Sequence, residues 1–66
     1  MTSLTSLPAT ISQARELIMG VRGEIGWLAD LLAAVDYYEP ANKLERAHAA
    51  KMIRLALKEL IAEETK

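Results

Sequence analysis

The chain has 66 residues, 52% of them hydrophobic, and a formal net charge of −1. A domain this short buries only about 60% of the surface its unfolded form exposes, so it needs tight helix packing, a staple or a partner. Cysteine is absent and histidine occurs once, which excludes disulfides, thiolate chemistry and a histidine-built metal cage, while near-neutrality argues against strong attraction to nucleic acid or anionic lipid.

Residues 1–9 (Met-Thr-Ser-Leu-Thr-Ser-Leu-Pro-Ala) hold no period and read as a flexible N-terminal arm. The alternative is that Leu4 and Leu7 fold back onto a groove. The segment lacks a basic n-region and a continuous apolar run, so no secretory signal is expected and a cytoplasmic location is. Residues 10–66 read as one helical hairpin.

Thr10-Ile11-Ser12-Gln13 has capping-box spacing. The Thr10 hydroxyl would accept from the Gln13 amide, and the Gln13 side chain would reach back to Thr10. Apolar residues then recur at Ile11, Ala14, Ile18, Val21, Ile25, Leu28, Leu32 and Val35. Steps of three and four alternate, which predicts one helix over about 11–38 with a packing seam on one side. Leu17, Leu31 and Tyr38 broaden the seam to the width of a core-facing bundle helix. The apolar run from Ile25 to Val35 contains Asp30 and falls well short of the roughly 20 residues that span a bilayer, so no membrane partner is expected.

Pro40 disfavours helical geometry at Glu39 and places a turn at 39–42. Asn42 and Glu45 then supply a second N-cap, opening a helix over about 43–63. Its main apolar face includes Ala49, Ala50, Ile53, Ala56, Leu57, Leu60 and Ile61. A secondary stripe holds Leu44, His48, Met52 and Leu55, with His48 reading as a boundary residue. Lys51, Arg54 and Lys58 make a basic row, and Glu45, Glu59 and Glu63 an acidic one.

Two long helices joined by a short turn lie antiparallel, and a lone hairpin leaves part of its seam wet. The predicted fold is therefore all-α: an antiparallel two-helix hairpin that forms a homodimer as a four-helix bundle. Its dimer core would be Ile11, Ile18, Val21, Ile25, Leu28, Leu32, Val35, Ile53, Leu57 and Leu60.

Opposite that seam a soluble helix should show charge. Here stand Met19, Gly20, Gly23, Gly26, Trp27, Asp30, Ala33, Ala34 and Tyr37. Three interior glycines disfavour a helix by about 3 kcal/mol in total relative to alanine. A helix can carry that burden where missing Cβ atoms admit a close neighbour. Tryptophan and tyrosine are enriched at the energetic centres of interfaces, and methionine adapts to varied surfaces. Met19, Gly20, Gly23, Gly26, Trp27, Ala34 and Tyr37 are therefore the expected partner-binding residues. The plainer readings are an inner surface of a larger oligomer, or a kink.

No nucleophile–base pair, phosphate loop or metal-ligand cluster is visible, so an enzyme, a cofactor and a metal are not expected. The expected function is that of a small regulatory or inhibitory protein that docks on another protein. The alternative is nucleic-acid binding through the Lys51, Arg54 and Lys58 row. In layout alone the chain resembles the plasmid copy-number regulators, helical hairpin dimers that bind RNA, but the nearby acidic row argues against it. A purely structural oligomerisation module is the third reading.

Overall fold

The structure, a computed structural model, describes residues 6–64; Leu4 and the rest of residues 1–5 lie outside the described residues. The fold is all-α, with α1 over Ile11–Val21, α2 over Trp27–Asp36 and α3 over Lys43–Glu64. The seam predicted as a single helix over 11–38 is thus cut in two at residues 22–26, and the two-helix hairpin is corrected to three helices. The cause is local. Gly23 has φ +102° and Gly26 has φ +72°, backbone settings that residues with a Cβ adopt only under strain.

The cut reverses the chain. Arg15 on α1 pairs with Glu59 and Glu63 on α3, at 3.4 and 2.9 Å, and Arg22 just past α1 pairs with Glu64. At the other end, Nε2–H of His48 donates to the Ala9 carbonyl at 3.0 Å. Residue numbers therefore rise together along α1 and α3, so these helices run parallel. α2 comes back between them in sequence and ends beside the start of α3, where the Arg46 guanidinium donates to the Asp36 carbonyl at 2.9 Å. A cation there satisfies an orphan carbonyl and suits the negative end of the helix.

Both short helices pack on α3, α1 more broadly than α2. The buried core takes Ala14, Ile18 and Val21 from α1, Leu31 and Val35 from α2, and Ala49, Ala50, Ile53, Ala56 and Leu60 from α3. Ile18, Ile53 and Val35 are its largest fully buried side chains. The alanines of α3 shorten the distance to its neighbours, which is how so small a chain closes a core.

Both helix starts predicted from sequence are present. Thr10 Oγ1 accepts from the Gln13 amide at 3.2 Å, and Gln13 Oε1 accepts from the Ala9 amide at 2.8 Å. The reciprocal bond thus goes one residue earlier than expected. Asn42 Oδ1 accepts from the Glu45 amide at 2.8 Å, and Glu45 answers through its side chain to Asn42 Nδ2. Thr10→Ala should lower stability by about 1 kcal/mol while Thr10→Ser changes little. Urea melts followed by circular dichroism read this directly; equal midpoints for all three proteins would show the cap to be idle.

Ahead of α1, Leu7 is half-buried against the core and Pro8 is buried. Residues 7–9 with Leu44, Glu45 and His48 line a shallow groove. Leu7 therefore packs as the fold-back alternative required, whereas Leu4 lies outside the described residues.

Candidate protein-binding surface

Among the described residues, the loop that ends α1 holds both positive-φ glycines, Gly23 and Gly26. Arg22 leaves the helix in an extended conformation (φ −64°, ψ 136°) while its amide still donates to Ile18. The Glu24 amide reaches the Val21 carbonyl at 3.4 Å, and the Trp27 amide reaches the Glu24 carbonyl at 3.1 Å. Gly26 caps α2 in the left-handed region, and its carbonyl accepts from Asp30 at 3.0 Å. Between the two glycines Glu24 and Ile25 are held out from the body.

Ile25 is 101% exposed, more than any other large apolar residue among those described. Met19, a turn before the loop, is 66% exposed and lines a groove with Arg22, Leu60, Glu63 and Glu64. One end of the bundle thus offers an isoleucine tip, a methionine and a groove edged by the Arg22–Glu64 pair. An apolar tip held clear of its own core can enter a partner's pocket with little rearrangement.

The residues expected at the partner face are dispersed by the fold. Met19 and Gly20 are exposed on α1; Ala34 and Tyr37 are exposed along α2 and just beyond its end, with Tyr37 at 82%. Gly23 and Gly26 belong to the reversing loop instead of a helical channel, because their φ angles take them out of the helix. Trp27 is half-buried and packs against the core. The continuous strip predicted along one long helix is therefore absent, and so is the ring at its rim. Of the ten residues expected in a dimer core, Ile18, Val21, Val35, Ile53 and Leu60 are buried within the single chain, and Ile11, Leu28, Leu32 and Leu57 pack against them. Ile25 is the exception. The seam that called for a second copy is largely covered by the fold-back itself.

Ile25 was legible as apolar but not as displayed. The signal was the Gly-Glu-Ile-Gly sequence at 23–26, two glycines closing a two-residue tip. No group of three or more His, Cys, Asp or Glu side chains among the described residues could hold a metal ion, and no helix is long and apolar enough to cross a membrane. No protein-family model matches the chain, and no curated protein or solved structure shows significant similarity to it.

Proposed function

We propose that this chain is a small non-enzymatic regulatory protein of the cytoplasm that works by docking on another protein, with Ile25 as the anchor and Met19 beside it. The supporting observation is the full exposure of Ile25 between two glycines whose backbone settings hold it there. Exposed apolar side chains that serve no core are a cost in solubility, and one presented at a loop tip fits the central anchor of an interface. The site keeps the end of the face expected from sequence that includes Met19 and Gly20, and moves its centre from Trp27 to the loop tip. Blocking of the partner is the mode that a compact binder without catalytic groups supports best.

Affinity capture from the source cells, using immobilised chain and two variants, tests this. Ile25→Asp should remove the captured protein while leaving the melting curve within about 0.5 kcal/mol of the parent, since the position touches no core. Lys51→Glu combined with Lys58→Glu, on the far side of α3, should leave capture intact. Retention by the Ile25 variant, or loss by the lysine variant alone, would move the site away from the loop.

A further inference from the structure

The near-neutral total hides a division of charge. Residues 23–42 contain Glu24, Asp30, Asp36 and Glu39 and no lysine or arginine. Residues 46–58 contain Arg46, Lys51, Arg54 and Lys58 and no aspartate or glutamate. The first stretch is α2 with the loops at both its ends; the second is the body of α3. Opposite charge so placed could cancel inside the fold, but among the described residues no ion pair joins the two stretches, and only the Arg46 guanidinium crosses between them, to the Asp36 carbonyl.

The three ion pairs among the described residues all join the arginines of α1 and its exit, Arg15 and Arg22, to Glu59, Glu63 and Glu64 near the end of α3. None involves an acid of 23–42 or a cation of 46–58. The acidic row of α3, which on sequence alone neutralises the neighbouring basic row, is thus largely taken up by α1. Lys51, Arg54 and Lys58 are left exposed, as is Lys43. At 100° per residue these four cations fall within an arc of about 80°, turned away from Ile53 and Leu60. Leu44, 81% exposed, and Leu55, 36% exposed, border that arc.

On the other side, Glu24, Asp30, Asp36 and Glu39 are all exposed. Asp30 and Tyr37 lie seven residues apart on the outward side of α2, while Leu31 and Val35 face the core. The outward side of α2, with the loops at its ends, is therefore acidic and bears an exposed tyrosine, and α3 has one basic face bordered by exposed leucines. The two bear similar, opposite charge.

We propose that the occupant of the basic α3 face is the acidic α2 face of a second copy, in head-to-tail association. Charge complementarity selects this geometry. A symmetric pairing through α3 would set cations against cations, and one through α2 acids against acids. Only the unlike pairing removes both sets of uncompensated charge, and it also covers Tyr37 against Leu44 and Leu55. Such an interface is heterologous, so each copy keeps a free face of each sign and assembly continues beyond two. The α3 face is about 33 Å long and about 10 Å wide, less than the roughly 800 Å² per partner of a stable interface. Association is accordingly weak, concentration-dependent and sensitive to salt.

Sedimentation of the full chain at rising concentration tests the proposal. At low salt the average mass should climb above the monomer, and at ~500 mM salt it should return to it. Lys51→Glu with Lys58→Glu brings the α3 face to zero net charge, and Asp30→Lys with Asp36→Lys does the same to the α2 face; each variant alone should stay monomeric at low salt. Mixed in equal amounts they should associate again, because the intact acidic α2 face of the first meets the intact basic α3 face of the second. A wild-type chain that stays monomeric at low salt overturns the proposal whatever the variants do. So does association that survives in either variant, or a mixture that fails to restore it. Should the wild-type chain stay monomeric yet bind a DNA oligonucleotide through Lys51 and Lys58, the α3 face serves a polyanion, and the second copy is excluded.

Discussion

Replacing Ile53 by alanine is expected to lower the melting temperature by more than about 10 °C. Ile53 is fully buried at the middle of α3, and it belongs to the one core that α1 and α2 share. Isoleucine-to-alanine changes in such sites cost about 2–5 kcal/mol, the lost transfer energy plus the cavity left behind. Stability scales at about 0.05–0.15 kcal/mol per residue, so a chain of this length holds about 3–10 kcal/mol in all. The substitution therefore removes a large share of the total, and in a domain this small each kcal/mol is worth about 4–8 °C. Ile25→Ala deletes the same atoms from solvent and should shift the melt hardly at all. Equal losses at the two positions would mean that the loop tip is packed, and the proposed anchor with it.

The glycines give the second large effect, and they should part company in sign. Gly20 lies inside α1 with open space where its Cβ would stand. Gly20→Ala should thus stabilise by about 0.5–1 kcal/mol, the ordinary gain of replacing an interior helical glycine. Gly23 and Gly26 are also sterically open, the nearest atom to a Cβ on Gly26 being Asp30 Oδ2 at 3.9 Å. Their constraint is φ, not space. Alanine at either should cost about 1–2 kcal/mol for the left-handed setting, and both together should add. A continuous helix would instead gain stability from all three changes. Urea midpoints of the three single variants decide between a reversal and a straight rod.

Much of the secondary structure was legible because it rests on short-range chemistry. Thr10 and Asn42 marked the two capped starts, Pro40 marked the second connection, and the three-four spacing picked out nearly every buried position. The reversal was not legible, because apolar spacing continues across it: Val21, Ile25 and Leu28 keep step although Ile25 leaves the core. Periodicity reports which residues are apolar and cannot report that two glycines have turned the helix back on itself. The same blindness moved the candidate site. Trp27 looked outward on a wheel drawn through residue 26, and it faces the core once the wheel restarts there. Charge suffered a related error, since the acids Glu59 and Glu63 look free to neutralise Lys51 and Lys58 until α1 brings Arg15 to them.

The parallel pairing of α1 with α3 has a consequence for how the chain assembles. Arg15 meets partners 44 and 48 residues away, whereas Arg46 meets Asp36 across only ten. Closing the wider span costs about 1.3 kcal/mol more in loop entropy, from the logarithmic dependence on length. The α2–α3 corner should consequently form early on the folding route, yet it holds the smaller contact and is weak by itself. Lasting structure waits for α1 to arrive from the far end of the chain. Folding should then be all-or-none and slower than that of a helical hairpin of equal size.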